Sequence, residues 1–343
     1  MRHVVPIKVL TCTVCMCTCR YDSGRQIKQQ WIEWHYRFYR IARNPTNLIA
    51  ANNLYDVHFT RYYIGVEPIL LQSYCGYTNQ VYSPTRPGFL LSLRRGLGFQ
   101  RLFLREFNAA SQKHNSSVVL RPIRDVYSDY RWSDLAAHWG IVQLPAQPST
   151  MSIFEQYRMN IPLFFPSKRL MLDWEMNGHS MMDEVQSPHR DVGKFRMPAH
   201  RNWRHVPDPT VRDRVSANYW NQFCDWYHLP HVIHFDNVTH LVDILNSMTP
   251  GRLRQVSDAM RDYNRRFKVE LLAKWKQLLR RMAAISRTKR QPLVGPTEFN
   301  HTIDMGQRPN YSHANVAKQG QHLIHLYGST ALPTPGLGTT RRR

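Results

Sequence analysis

The sequence predicts an α/β fold, and three observations support that prediction. Two short apolar runs, Ile141–Leu144 and Ile161–Phe165, have the continuous hydrophobic character of parallel strands that are buried on both faces. Between them, residues 151–159 place apolar side chains at helical spacing. Strand-like and helix-like segments alternate along most of the remaining chain, which is typical of a doubly wound parallel sheet.

The first part of the chain, residues 4–80, predicts a β-α-β-α-β order. The expected strands are Val9–Cys19, Asn47–Ala51 and Pro68–Gln72, and the expected helices run from Gln26 to Ala42 and from Leu54 to Tyr63. We interpret residues 1–82 as part of an α/β domain, which suggests that the chain begins partway through a larger protein. The segment Tyr82–Gly88 contains two prolines and one glycine and predicts a linker.

A second alternating region covers residues 83–285. Around the two apolar runs, the expected strands are Phe89–Leu93, Val118–Arg121 and His231–Phe235, and the expected helices are Phe99–His114, Asn218–Tyr227, Val238–Ser247 and one or two basic helices over Arg252–Ala283. Residues 175–217 predict a polar excursion with little core of its own. In the basic helices, apolar residues at spacings of four, three and four predict a face that packs on the core: Leu271, Trp275, Leu278 and Met282.

The charge of the chain is strongly positive and unevenly distributed. The formal net charge is +22, and residues 251–290 contain thirteen Lys or Arg against three Asp or Glu. Such a balance attracts nucleic acid, anionic lipid or phosphorylated substrates without distinguishing among them. From about Ser286 the composition turns to Pro, Gly, Thr and Arg, which predicts a disordered basic tail over residues 286–343. No apolar run reaches the roughly twenty residues of a membrane-spanning helix.

Four of the six cysteines lie close together, at Cys12, Cys15, Cys17 and Cys19. Zinc sites usually combine two separated ligand pairs, and no second pair follows nearby, so buried or free thiols are the favoured interpretation. Metal binding and disulfides remain alternatives. A denser cluster follows at Asp225, His228, His231, His234 and Asp236. Alternation along His231–Phe235 indicates that its histidines line a strand edge, and this interpretation is favoured over a ligand role.

The polar loop Gln147–Thr150 is the best candidate for a binding site. It follows a predicted strand and precedes a helix, and helix N-termini have unpaired N–H groups that favour anions. Glu155 follows one turn into that helix. Ligands of parallel sheets bind at the carboxyl ends of the strands, so this loop fits a phosphate-bearing ligand that is rich in hydroxyl groups.

The segment HWGIVQLPAQPSTMSIFEQYRMNIPLFFPS resembles the donor-binding part of two-domain, B-type glycosyltransferases, including exostosin-like and glycogen-synthase-like members. Asn160-Ile161-Pro162 takes the place of the Gly-x-Pro of many such enzymes, and Asn also accepts left-handed backbone angles. Three shorter motifs are similar to uncharacterised eukaryotic proteins of this type and say nothing about chemistry: RYDSGR at 20–25, AANNLYD at 50–56 and SYCGYT at 73–78.

The resemblance implies a Rossmann-like domain over residues 83–285 that binds a nucleotide-diphosphate sugar, preceded by part of the acceptor-side domain. Glu155 would accept hydrogen bonds from the ribose hydroxyls, and Arg94 and Arg95 would contact the diphosphate. The remaining donor-binding residues would be Gln147, Ser149, Thr150 and Ser152. The resemblance implies no metal and no other cofactor, and it leaves the catalytic base unassigned.

Several functional alternatives stay open at this point. The chain could be a glycosyltransferase acting on an unknown glycan or protein acceptor, or a relative that is inactive through truncation. It could also be a nucleotide-binding protein without catalysis, or a basic protein that binds nucleic acid through residues 252–290. No helix-turn-helix, zinc finger or aromatic ribonucleoprotein motif supports the last alternative. The localisation would be the Golgi or secretory pathway if full-length relatives carry an anchor, and cytoplasmic otherwise.

Overall fold

Two parallel β-sheets with helices packed around them confirm the α/β class. We describe a computed structural model. The structure describes residues 8–9, 33, 36–93, 97–145, 147–178, 199–209, 211 and 213–288. Both sheets belong to one compact unit, Met1–Gln291. In the described part of the chain, no helix combines the length and the apolar character needed to cross a bilayer.

The first sheet has three strands in the order β1-β2-β3, and every pairing is parallel. Its strands are β1 (Lys8–Val9), β2 (Ile49–Ala51) and β3 (Ile69–Leu70). Residues 36–43 form helix α1, and helix α2 (Leu54–Ile64) connects β2 to β3. Gly65 ends α2 with a φ of 73°, a left-handed conformation that favours glycine.

The second sheet has five parallel strands in the order β5-β4-β6-β7-β8. Its strands are β4 (Arg86–Leu93), β5 (Leu120–Pro122), β6 (His138–Leu144), β7 (Leu163–Pro166) and β8 (Ile233–Phe235). This sheet with its flanking helices is compatible with a Rossmann-like fold.

The helices of the second region are α3 (Leu97–Lys113), α4 (Ile123–Val126), α5 (Trp132–Ala136), α6 (Met151–Arg158), α7 (Lys168–Met176), α8 (Arg214–Asn221), α9 (Val238–Ser247) and α10 (Pro250–Thr288). The prediction for Val238–Ser247 is confirmed at both ends. The two expected basic helices form one helix of 39 residues. Its Leu271 is buried, and Trp275 and Leu278 pack against the same cluster, as their spacing predicts.

The central strands of the second sheet are buried on both faces, as their apolar runs predict. Ile141 and Phe165 belong to a core cluster that also contains Tyr157 of α6. Val142 and Phe164, the alternate residues, belong to a second cluster with residues of α3 and α9. Since successive side chains of a strand point to opposite faces, helices cover the sheet on both sides.

The region predicted as a linker is packed rather than free. Tyr82 is buried, its hydroxyl donates to the Trp139 carbonyl oxygen at 2.8 Å, and its N–H donates to the Met159 carbonyl oxygen at 3.0 Å. Strand β4 begins at Arg86, three residues before the predicted start, because Arg86 pairs with His138 of β6. Whether residues 1–82 form a separate domain stays a prediction.

Other differences concern the boundaries of elements. The expected helix Asn218–Tyr227 is divided into helix α8 and a short 3-10 helix, Asp225–Tyr227. Helix α8 begins earlier than expected because Asp213 caps it, accepting a hydrogen bond from the Ser216 N–H at 2.7 Å. Residues 175–217 were expected to have little core of their own, and two residues of this segment, Val206 and Ala217, are buried. Most of the expected strand Val9–Cys19, with its four cysteines, and the expected tail beyond Thr288 lie outside the described residues.

Candidate functional site

The strand order of the second sheet reverses between β4 and β6. From β4 the chain crosses to β5 on one side and then returns to β6 on the other side. The last paired residues of these neighbours are Leu93 and Leu144. In open parallel sheets, ligands bind at the carboxyl ends of the strands where the order reverses in this way. The loop Gln147–Thr150 follows β6 at this point.

Helix α6 begins directly after that loop, and its N-terminus has no side-chain cap. Thr150 occupies the N-cap position, but its hydroxyl does not accept from the helix; it lies 3.1 Å from the Ser152 hydroxyl. The first N–H groups of a helix have no partner within the helix, and a capping side chain normally satisfies one of them. The Ile153 N–H donates to the Thr150 carbonyl oxygen at 3.1 Å, and no N-cap side chain competes with an anion for the end of α6.

Glu155 lies one turn into α6 and is half-buried. Its Oε1 accepts a hydrogen bond from the Tyr77 hydroxyl at 2.6 Å. Tyr77 belongs to the short 3-10 helix Gly76–Thr78, is 56% exposed and packs against Trp132 with 5.5 Å between ring centres. Partial burial and the hydrogen bond to Glu155 raise the pKa of Tyr77, so its hydroxyl remains a donor near neutral pH.

The carboxyl ends of the first sheet face this loop. Asn52 and Asn53 follow β2, and Ser73 comes three residues after β3. The Ser73 hydroxyl lies 3.7 Å from the Met151 sulfur at the start of α6. Together with the contact between Tyr77 and Glu155, this places the ends of the two sheets against each other.

The polar groups after β2 are hydrogen-bonded to one another. The Asn53 amide donates to Asn52 Oδ1 at 2.7 Å and to Asp56 Oδ2 at 2.9 Å. Asn53 Oδ1 in turn accepts from the Asp56 N–H at 2.7 Å and caps α2. Asn52, Asn53 and Asp56 are all buried, so this edge of the first sheet is a closed polar network.

A second buried carboxyl lies beside the loop after β6. The Asp225 N–H donates to the Pro148 carbonyl oxygen at 3.1 Å. Burial raises the pKa of the Asp225 carboxyl well above its ordinary value; a hydrogen bond with Ser149 partly offsets this shift, and the nearby Asp56 adds to it. Asp225 therefore joins the loop of the second sheet to the Asp56 edge of the first.

The far end of α6 is fixed by the long helix α10. The Asn264 amide donates to the Tyr157 carbonyl oxygen at 3.0 Å and to Asn160 Oδ1 at 2.7 Å. Arg158, which is buried, donates to Asn264 Oδ1 and packs over the Phe267 ring at 4.1 Å. Asn160 has a φ of 61°, so the expectation that Asn accepts a left-handed angle in place of glycine is confirmed.

The structure brings most of the predicted site residues into one loop and helix turn: Gln147, Ser149, Thr150, Ser152 and Glu155. Arg94 and Arg95 lie outside the described residues, although β4 ends next to β6 just before them. In the described ranges, no group of three or more His, Cys, Asp or Glu is placed to hold a metal ion.

Sequence reasoning missed the half of the site that comes from the first sheet and from residue 225. The missed residues are Asn52, Asn53, Asp56, Ser73, Tyr77 and Asp225. Five of them lie in AANNLYD and SYCGYT, which we expected to be uninformative about chemistry. The rule that places ligands at carboxyl ends applies to the predicted strands Asn47–Ala51 and Pro68–Gln72 as well, and it would have indicated the residues that directly follow them, Asn52, Asn53 and Ser73.

We compared the chain with protein-family models, with curated proteins and with solved structures, and none of them matches it.

Proposed function

We propose that the loop Gln147–Thr150 and the start of α6 bind the diphosphate of a nucleotide sugar, and that the protein is a glycosyltransferase of the B type. The observation that carries this proposal is the meeting of two parallel sheets at their carboxyl ends, with an uncapped helix N-terminus at the junction. Each sheet by itself offers the usual ligand-binding edge, and two such edges that face each other would bind the donor and the acceptor of a transferase.

Each predicted residue has a role in this proposal. The N–H groups at the start of α6 and the hydroxyls of Thr150 and Ser152 would stabilise negative charge on the departing diphosphate. Arg94 and Arg95 would follow β4 at the same edge and add guanidinium donors. Glu155 would accept hydrogen bonds from ribose hydroxyls. The acceptor would enter from the side of the first sheet, and we assign no catalytic base.

The bond between Tyr77 and Glu155 supports the role of Glu155 and also constrains it. A hydroxyl donor already occupies one carboxylate oxygen at 2.6 Å, which is the interaction that a ribose hydroxyl would make. A nucleotide would therefore either displace Tyr77 or use the second oxygen of Glu155.

Thermal unfolding with and without nucleotides tests the proposal. UDP and GDP, and their hexose conjugates, should raise the melting temperature of the wild type, since a ligand at one hundred times its Kd adds about 2.7 kcal/mol of stability. Glu155→Ala should lose most of this shift. Glu106→Ala, at an exposed position of α3, is the matched control and should keep it.

Two results would contradict the proposal. One is a wild type that no nucleoside diphosphate or sugar conjugate stabilises. The other is an equal shift in Glu155→Ala and in the wild type. A shift without sugar transfer to any acceptor would instead favour a non-catalytic nucleotide-binding protein.

A second candidate function rests on helix α10. Seven basic side chains of this helix are exposed: Arg265, Arg266, Lys268, Lys274, Lys276, Arg280 and Arg281. If this surface binds nucleic acid, the affinity for random duplexes should fall steeply with added salt, and charge-reversal variants of Lys274 and Lys276 should weaken it. Nucleotide-induced stabilisation would be unaffected by those two variants.

A further inference from the structure

Asp225 is a buried carboxyl group directly behind the loop that we assign to the diphosphate. Only 2% of the residue is exposed. Its N–H holds the Pro148 carbonyl oxygen, and its side chain lies against Ser149. Ser149 directly precedes Thr150, the N-cap residue of helix α6.

One oxygen of this carboxyl is unsatisfied. Asp225 Oδ2 is buried and has no hydrogen-bond partner among the described residues. Asn221, at the end of α8, is also buried, and within the same described part of the chain neither of its amide atoms has a partner. Leaving a buried polar group unpaired costs about 1–3 kcal/mol, so native proteins seldom do so without a reason.

The carboxyl also lies near the first sheet. Asp56 is close enough to act electrostatically on Asp225, and the Asn53 amide donates to Asp56 at 2.9 Å. Asp225 is thus next to the loop that precedes the uncapped helix and within electrostatic range of the polar network after β2. A sugar that is attached to a diphosphate at the start of α6 would lie beside this loop.

The chemistry of the group favours hydroxyls over ions. Burial and the neighbouring Asp56 raise the pKa of Asp225 well above its ordinary value, which favours the protonated carboxyl, a group that can both donate and accept. A neutral acid neither attracts a cation strongly nor repels a nearby phosphate. Sugar hydroxyls also donate and accept, and they complement it.

We propose that Asp225 recognises hydroxyl groups on the sugar portion of the nucleotide sugar, with its free Oδ2 as the contacting atom. This inference rests on the proposed function and deepens it, because it assigns a specificity-determining residue on a segment that the sequence resemblance does not include. The sugar would be bound by Asp225 and the nucleotide by the loop and Glu155, so the two parts of the ligand can be tested separately.

Isothermal titration calorimetry with UDP, GDP, UDP-glucose, UDP-N-acetylglucosamine and GDP-mannose tests whether Asp225 affects binding of the sugar without affecting binding of the nucleotide. Asp225→Ala should weaken the best sugar nucleotide about fivefold to tenfold and leave its parent diphosphate within about twofold, as the loss of one hydrogen bond implies. Asp225→Asn, which keeps a neutral donor and acceptor, should recover most of the loss. Asp129→Ala, at an exposed site, should change neither ligand.

The outcomes separate this inference from the proposed function. If the wild type binds neither diphosphates nor sugar nucleotides, both proposals fail. If it binds them but Asp225→Ala weakens both equally, or changes neither, only the assignment of Asp225 fails. Because truncation of a buried residue can unfold a protein, Asp225→Leu, which keeps the branch at Cγ without polar atoms, is measured in parallel and should match Asp225→Ala.

Discussion

Helices α2 and α6 begin at similar places, each after the residues that follow a parallel strand, yet their N-termini differ. Asn53 caps α2 by accepting from the Asp56 N–H at 2.7 Å. Thr150 occupies the same position on α6 and makes no such bond. The first sheet thus satisfies its own edge, whereas the second leaves its helix end available. Among two similar edges, the incompletely satisfied one is the better candidate for a ligand.

The two buried aspartates, Asp56 and Asp225, repeat this contrast. Asp56 accepts from the Asn53 amide at 2.9 Å, while Asp225 Oδ2 has no partner in the described part of the chain. Asp56 therefore contributes to the stability of the fold, and we expect Asp225 to contribute less. The difference between the edges can be tested in the protein without any ligand.

The largest effect should come from Asp56→Ala. Its loss leaves a buried Asn53 amide with one partner fewer, and we expect the free energy of unfolding to fall by about 2–4 kcal/mol. Asp225→Asn should not lower it, because an amide keeps the shape of the neutral acid and removes the cost of protonating a carboxyl whose pKa is raised. Urea denaturation followed by tryptophan fluorescence measures both. Equal losses would remove the contrast between the two carboxyls.

A smaller effect should separate the two helix caps. Asn53→Ala should cost about 1–2 kcal/mol, because it removes a formed cap, and Thr150→Ala about 0.5 kcal/mol, because no cap bond is lost. Thermal unfolding of the two variants provides the comparison. A greater loss in Thr150→Ala would mean that α6 depends on its cap residue after all.

Tyr77→Phe should change ligand binding rather than stability. Without its hydroxyl, Glu155 Oε1 is free for a ribose hydroxyl, and we expect the affinity for UDP or GDP to rise about twofold to fivefold. Tyr36→Phe, an exposed tyrosine on α1, is the matched control. Titration calorimetry measures the change, and a weaker affinity would show that Tyr77 contacts the nucleotide instead of competing with it.

The smallest effects concern the pH dependence of stability, which should have opposite signs for His58 and Asp225. Burial, followed by Arg61, lowers the pKa of His58 on α2 from 6.5 to about 4, so its contribution is present above pH 6.5 and is lost as the pH falls toward about 4. The pKa of Asp225 is raised, so its contribution is present at low pH and is lost as the pH rises through the folded-state value.

A plot of melting temperature against pH should therefore have a different slope in variants of His58 and of Asp225 than in the wild type. His58→Gln should flatten the acid side of the stability profile, and Asp225→Asn should flatten the loss at higher pH. Profiles that coincide with that of the wild type would show that neither group titrates as its surroundings imply.

The core of the second sheet could be predicted from the sequence because strands that are buried on both faces consist almost entirely of apolar residues. Every position of Ile141–Leu144 and Ile161–Phe165 is apolar except Gln143, and alternate residues belong to different core clusters. Gln143 is the informative exception: it is buried and donates to Gln156 of α6, a pairing between two elements that no local pattern records.

The site was predicted only on the side that has a local pattern. The loop after β6 and Glu155 follow from position in a strand-loop-helix unit. Asp225 could not be found in this way, because its place beside Ser149 depends on how a segment seventy-five residues later folds back onto the loop. Tyr77 reaches Glu155 across a similar separation. Contacts of this kind depend on the packing of the two sheets and have no signature in either segment.

Amide hydrogen exchange with and without a saturating nucleoside diphosphate tests the central claim most directly, because it reports on both edges at once. We predict that UDP or GDP slows exchange in peptides that cover residues 147–156 and, in the same experiment, in peptides that cover residues 50–56 and 73–78. Protection that is confined to α10, or that is absent from both edges, would contradict the claim that the two sheets form one ligand site.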